Sequence, residues 1–375
     1  MSSVLRAVLL AVSVVACERA APTVVLDAGP AAPEAASAGP SASTAEPALG
    51  PVVVLAGGDV ELARETGKTL LRDPLYDPFR RAQALLDRAD VRFVNLESPL
   101  SEQGGETQSA WSPLVFNGPP IAADALARAR IDVVSTANNH IWDYGARGMI
   151  ETLHNLDRVH IAHAGASETA GGAESPAIVT VRGVKIAFLA FTAIWNQGAL
   201  AKSDARTRVA SGDVATMVAA VRAVRAAGEA DFVLVSFHGG EEYQGAPLAG
   251  VRDALRAVVD AGADAVLGHH AHVMQAIELH AGKPILYGMG NLVMRMNSAH
   301  RWTEFGYLAR IVLARGSAPS LAICPYRIDG REPVPLDDPR LVAMHGDRLM
   351  ALSRPAHLAL GPLEEGCRAV TERDP

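Results

Sequence analysis

Cysteine is scarce: three residues, Cys17, Cys324 and Cys367, in a chain of 375. That is too few for a scaffold built on disulfides. Aromatic side chains make up only 5% of the sequence, so the core must be filled by Ala, Val and Leu, which suits helices packed on sheets. No apolar run is long enough to cross a membrane as a helix. Basic charge is also in short supply. Lys and Arg number 34 against 41 Asp and Glu, a formal charge of −7, and no nucleic-acid partner is expected. Two common catalytic devices are missing as well, the G-x-S-x-G nucleophile elbow and the phosphate-binding P-loop.

The chain does have hydrophobic residues in quantity, 49% of the total, and a length that suits one large domain or two ordinary ones. Near its start Arg6 precedes the apolar stretch Ala7–Ala16, which ends in Val14-Val15-Ala16-Cys17. A positive start, an apolar centre and small residues at the cleavage point are the plan of an export signal. The cysteine directly after Ala16 resembles a bacterial lipobox. Residues 1–17 therefore read as a signal peptide with Cys17 as the lipidation site, and the protein as exported and lipid-anchored to the cell envelope. A plain cleaved signal or an uncleaved anchor, with Cys17 incidental, is the alternative. Residues 18–50 are dominated by Ala, Pro, Ser and Gly and read as a tether without a core of its own. In an exported protein Cys324 and Cys367 could be bridged; two separate thiols are the other reading.

From Pro51 onward, apolar runs of strand length alternate with helical spacing. Pro51–Ala56 leads into Gly57-Gly58-Asp59, Val91–Val94 into Asn95-Leu96-Glu97, and Ile131–Val134 into Asn138-Asn139-His140. A β-hairpin is predicted over 177–191 and a helix over 213–227. Phe232–Phe237 then ends at His238, and Ala265–Leu267 runs into Gly268-His269-His270-Ala271-His272. Pro284–Leu286 precedes the turn that carries Asn291. Strands 306–313 and 321–326 read as antiparallel. Buried strands whose C-terminal ends release polar groups into glycine loops are how open α/β folds build sites.

The polar groups at these ends form a mixed set. Asp59, Glu97, Asn139, His238, His270 and His272 offer the carboxylate, amide and imidazole ligands that suit Zn, Mn or Fe. Two such ions bridged by a carboxylate stabilise the attacking and leaving oxygens of a hydrolytic displacement without a nucleophilic serine. In an extended segment, alternate residues share a face, which would align His270 with His272 and turn His269 away. His154, His160, His280, His300, His345 and His357 lack such surroundings and read as surface or packing residues.

The motifs GGDVELAR, VNLESPL, ANNHIWDYG, SFHGGEEY, GHHAHVMQ and GKPILYGMGNLV occur in this order, from about Val52 to Val293. Together they resemble the CapA family, bacterial proteins tied to poly-γ-glutamate capsule synthesis and related to calcineurin-like metallophosphoesterases. The resemblance implies an α/β fold, a four-layer α/β sandwich of the metallophosphoesterase type with mixed sheets flanked by helices. It places that domain at 51–330, with a C-terminal extension at 331–375. It also implies one or two divalent ions held by Asp59, Glu97, Asn139, His238, His270 and His272, with Glu97 at the bridging position. His140 would serve as general acid, oriented by Asp143. Asn95 and Asn291 are candidate substrate-binding residues. Glu61 stands where the wider superfamily has a histidine, as a substitute ligand or as an exposed side chain. The expected substrate is an acidic polymer or a phosphoester, and the expected partners are the membrane, through the lipid, and other capsule-synthesis proteins. A non-catalytic role in polymer assembly or export is the rival reading.

Overall fold

The computed structural model describes residues 23–26, 50–196, 205–296 and 300–373. In chain order, β1 (Thr23–Leu26) precedes β2 (Val52–Val60), α1 (Arg64–Arg72), α2 (Gln83–Leu86), β3 (Val91–Leu96) and α3 (Ala122–Arg128). β4 (Val133–Ser135), α4 (Gly145–Arg158) and β5 (Ala162–Ala164) complete the first half. The hairpin β6 (Ala177–Val181) and β7 (Val184–Thr192) leads through α5 (Ala205–Arg208) and α6 (Val214–Ala227) to β8 (Phe232–His238). α7 (Ala249–Asp260), β9 (Ala265–His269), β10 (Ile277–His280), β11 (Lys283–Leu286) and β12 (Asn291–Val293) follow. The chain closes with β13 (Phe305–Leu313), β14 (Ser320–Asp329), β15 (Glu332–Pro335), α8 (Pro339–Leu352), β16 (Leu358–Leu360) and β17 (Arg368–Glu372).

These strands form two sheets. One runs β1-β6-β7-β8-β9-β11-β10; the other runs β16-β17-β14-β13-β2-β3-β4-β5, with β12 beside β2 and β15 beside β14. The alternation of side chains along each strand assigns the layers. In β2, Val52, Val54 and Ala56 enter a core shared by both sheets, whereas Leu55 faces α1–α3 with Val94 and Leu126. In β7, Phe188 joins the shared core, while Leu189 packs on the side of α6 and α7 with Val221 and Leu255. The order is helices, sheet, sheet, helices: the four-layer sandwich anticipated from the sequence. Phe93 of β3 and Phe188 of β7 stack across the middle with centroids 5.5 Å apart, tying one sheet to the other.

α6 shows how local sequence sets these elements. Asp213 caps its start by accepting from the Thr216 amide at 2.9 Å, Met217, Val221 and Val224 form its buried stripe, and Gly228 ends it at φ +66°.

Several sequence expectations need revision. Residues 331–375 are not an appendage. β15 and β17 both pair with β14, so the C-terminal segment widens the second sheet. Cys367 lies two residues before Ala369 of β17 and is bridged to Cys324 of β14, which resolves the choice between bridge and free thiols. Within the stretch read as a tether, Thr23–Leu26 forms a strand parallel to β6, at the only β-branched run it contains. Between β2 and β3 the chain forms α1, which was not anticipated, and the single turn α2. The signal peptide, Cys17 and the rest of 18–49 lie outside the described residues. Among the described residues no helix is long and apolar enough to cross a membrane.

Candidate metal centre

Strand register delivers the site. In the second sheet Asp59 of β2 pairs with Asn95 of β3, and Asn95 with Ser135 of β4. In the first sheet Thr192 of β7 pairs with His238 of β8, and His238 with His269 of β9. Both rows sit at the C-terminal ends of parallel strands and face each other over the shared core. Two glycines allow the close approach. A Cβ on Gly58 would lie 1.8 Å from the Gly290 carbonyl oxygen, and one on Gly268 would lie 2.2 Å from that of Tyr287.

The convergent side chains form two groups with one common member. Glu97, His238 and His270 bring three ligand atoms within 4.8 Å of one another, and so do Asp59, Glu97 and His272. All five residues are buried. Glu97 Oε1 lies 3.6 Å from His238 Nε2 and 3.9 Å from His272 Nε2, and neither of its oxygens accepts a hydrogen bond. A buried carboxylate without a donor is costly unless something else compensates it. His270 Nδ1 is likewise without a partner. Unfilled acceptors on a carboxylate shared by two groups are the donor set a pair of divalent ions requires, so the residues fit the metal.

Electrostatics follow from this crowding. Burial pushes the Glu97 carboxyl well above the ordinary range, reinforced by the negative charges of Asp59, Glu242 and Glu61. Burial also pushes Asp59 upward, but the hydrogen bond and charge of His269, with His238 and His272 behind it, outweigh that and leave Asp59 far below its usual value. Burial and neighbouring imidazoles lower His238 strongly and hold His270 at about 4. The site therefore combines one readily ionised carboxylate, one reluctant carboxylate and, in His238 and His270, imidazoles biased toward the neutral form that ligates.

A set of amides fixes these ligands. Asn95 Nδ2 donates to Asp59 Oδ1 at 2.8 Å and reaches His238 Nδ1 at 3.2 Å, while His238 Nε2 lies 2.7 Å from Asn139 Oδ1, so these two atoms converge beside Glu97. Asn291 Oδ1 holds His272 Nδ1 at 2.8 Å. Both Asn95 and Asn291 are wholly buried, and their amides are engaged by ligand side chains. Asn138, which the sequence did not single out, bridges Asn95 and the Leu96 carbonyl with Nδ2 and caps the His140 and Ile141 amides with Oδ1.

The argument that His270 and His272 share a face of an extended segment does not hold. β9 ends at His269, and His270 (φ +87°) and His272 (φ +56°) are both left-handed. They converge through a turn, and His269 is not turned away: its Nδ1 lies 3.2 Å from Asp59 Oδ1. Nor is Glu61 exposed. It is 4% accessible and takes the Arg64 guanidinium on Oε2, with the Nε contact at 2.8 Å, so it acts as a counter-ion and its Oε1 has no partner.

At the rim, His140 Nδ1 meets Asp143 Oδ2 at 2.9 Å, and the same oxygen accepts the Phe116 amide at 3.0 Å. The Phe116 ring stacks on His140 at 4.1 Å, and Asn196 Nδ2 lies 3.4 Å from Nε2. Tyr243 stands near the opposite group, 6.0 Å from His272 and stacked on His300 at 3.7 Å. Arg64, Phe116 and Tyr243 were not identified from the sequence; the arginine immediately after the first metal motif was the available signal.

Residues 53–296 match the family model described as bacterial capsule synthesis protein PGA_cap. The chain belongs to this family. It is 29% identical over 281 residues to the capsule biosynthesis protein CapA of Bacillus anthracis, covering 74% of this chain and 68% of the relative. It is 31% identical over 293 residues to a protein of Mycobacterium tuberculosis named a probable polyglutamine synthesis accessory protein, covering 73% and 76%. Among solved structures it is similar to a Staphylococcus aureus chain assigned as a 5'-nucleotidase, at 16% identity and a TM-score of 0.45, over 78% of this chain and 55% of that one. It is also similar to the Thermus thermophilus sulfate thiohydrolase SoxB, at 14% identity and a TM-score of 0.39, over 79% and 48%. The chain thus spans about half the length of both solved structures.

Proposed function

We propose that this member of the capsule-synthesis family is a metal-dependent hydrolase of the cell envelope. Its substrate would be a phosphoester or a γ-glutamyl bond of an acidic polymer. The observation that carries this reading is Glu97, a buried carboxylate with no donor on either oxygen, shared by two groups of ligand atoms. Glu97, His238 and His270, with the Asn139 amide beside them, would hold one ion; Asp59, Glu97 and His272 would hold the other. Mn, Zn and Fe all match this donor set. Such ions, when bound, supply an activated water and polarise the scissile group.

The chain's own residues do the rest. Asp143 accepts from the Nδ1–H of His140 and supports a charged ring, so that Nε2 can give its proton to the departing oxygen or nitrogen while water adds across the broken bond. Phe116 covers one face of His140 and keeps solvent from that side. Asn138 and Asn95 keep β2, β3 and the Asn139-His140 turn in register, so the acid and the ligands hold their spacing. The signal sequence and lipobox at Cys17 support anchoring to the envelope, and the names of the relatives support partners in polymer synthesis.

A second reading has its own support: the mycobacterial relative is named an accessory protein, and an accessory role would use the same metal face to bind an acidic chain without turnover. One experiment separates the two. Purified protein loaded with Mn or Zn is assayed against phosphomonoesters, phosphodiesters and poly-γ-glutamate, with His140→Ala as control. Turnover that His140→Ala abolishes supports the hydrolase; metal uptake without turnover of any of the three supports the accessory role and overturns the hydrolase.

A further inference from the structure

Arg64 occupies a position that a structural role alone does not explain. It opens α1 with φ +42°, a conformation unfavourable for a non-glycine residue, and its amide donates to the Thr107 carbonyl at 2.9 Å. Its guanidinium is gripped from one side only. Glu61 Oε2 takes Nε and Nη2, and the ring of Phe116 lies beneath, 4.8 Å from the guanidinium carbon. Nη1 has no partner among the described residues. The side chain is 27% accessible, and only Nε and Nη2 are held by Glu61.

Its neighbours tie Arg64 to the site. Phe116 is the ring that stacks on the general acid His140, which makes Arg64, Phe116 and His140 a continuous pile. Arg64 also lies within electrostatic reach of Glu97 and of Tyr243, and Tyr243 flanks His272. The guanidinium is therefore coupled to Glu97, the one ligand shared by both groups, and rests against the Phe116 ring. A planar fork with fixed orientation is the group that best recognises carboxylate or phosphate. Neutralising Glu61 uses only Nε and Nη2, and leaves Nη1 of a partly accessible side chain free to meet an anion beside the site.

We propose that Arg64, fixed by Glu61 and Phe116, is the anchor for an oxyanion of the substrate beside the bond to be cleaved. This rests on the metal-centre reading above. Both substrate classes considered there carry such an oxyanion, as a phosphate or as the free carboxylate of a glutamyl unit. Glu61 then has a definite part, the positioning of Arg64, in place of metal ligation.

The test is calorimetric and does not depend on turnover. Metal content of the wild type, Arg64→Ala and Arg64→Lys is measured after loading with Mn, and each protein is then titrated with inorganic phosphate and separately with glutarate. The expected result is unchanged metal content and about tenfold or greater loss of affinity for at least one anion in Arg64→Ala, with a smaller loss in Arg64→Lys. Loss for phosphate alone assigns a phosphoryl substrate, and loss for glutarate alone a carboxylate. The inference is overturned if Arg64→Ala holds its metal and binds both anions as the wild type does, if Arg64→Ala no longer takes up metal, or if the metal-loaded wild type binds neither anion. A wild type that takes up no metal overturns the metal-centre reading instead, and is seen before any anion is added.

Discussion

Glu97 Oε1 lies 3.6 Å from His238 Nε2, yet both Glu97 oxygens lack a hydrogen-bond donor in a fully buried position. Asp59, in the same cavity, is approached by Asn95, His269 and the His270 amide. The contrast marks Glu97 as the carboxylate left open for cations.

If Glu97 is shared, its two flanking groups can be separated. His270→Ala should leave the ion held by Asp59, Glu97 and His272, and His272→Ala should leave the other. Elemental analysis after dialysis should show about one equivalent lost in each variant. Loss of both ions in both variants would show that the groups are not independent.

Metal binding should also displace protons. The Glu97 carboxyl is held above its usual range, mainly by burial, so it carries more proton as the pH falls; His238 and His270 are lowered and remain neutral over the same interval. Metal binding should therefore release protons, and affinity should fall toward acid. Titrations in buffers of different ionisation enthalpy give the count. No release, or an affinity that does not fall toward acid, would contradict this.

Asp143→Asn tests the acid. The amide cannot support a charged His140 as the carboxylate does, and such orienting partners typically contribute about 10–100-fold. Turnover on whichever substrate is found should drop by that order with metal content unchanged. An unaltered rate would remove His140 from the proton-transfer role.

A pH effect remote from the site serves as a check on the fold. Burial, with the charge of Arg368 nearby, holds His345 at about 4, while Nε2 reaches the Gly306 carbonyl at 3.0 Å. With the folded value below the unfolded one near 6.5, the stabilising effect is complete above pH 6.5 and is lost as pH falls through 4. The loss should total about 3 kcal/mol over that interval. Urea denaturation of His345→Gln should show a shallower acid limb; an identical limb would mean that His345 is not buried neutral.

The disulfide gives a stability prediction. Cys324 and Cys367 are 43 residues apart, and closing a loop of that length contributes about 4 kcal/mol in the chain-entropy view. Cys367→Ala should lower the denaturation midpoint accordingly, and thiol titration of unreduced protein should find neither cysteine free.

Strand ends and ligands were readable because each ligand follows an apolar run that can only be a buried strand, and because glycine marks the turns. Asp59, Glu97, His238, His270 and His272 all carry that signature. What escaped depended on backbone turns. His269 faces the shared core with Ala265 and Leu267 of β9, while His270 and His272 reach the site because both adopt positive φ, which the extended-segment argument did not allow for. Asn95 and Asn291 looked open to substrate because nothing in a linear sequence shows that their amides are already engaged. The C-terminal strands were missed as part of the domain because their pairing with β14 is long-range. Arg64 and Phe116 lie 52 residues apart, and only the fold stacks them.

The most direct test of the account is metal stoichiometry in the wild type and in Glu97→Gln. Loaded with Mn or Zn and freed of excess, the wild type should retain two equivalents and unfold at a higher temperature than the stripped protein. At free metal about 100-fold above Kd each site adds about 2.7 kcal/mol. Glu97→Gln should retain neither ion and gain no such stability. A wild type with no stoichiometric metal, or a Glu97→Gln variant that keeps both ions, would contradict the central claim.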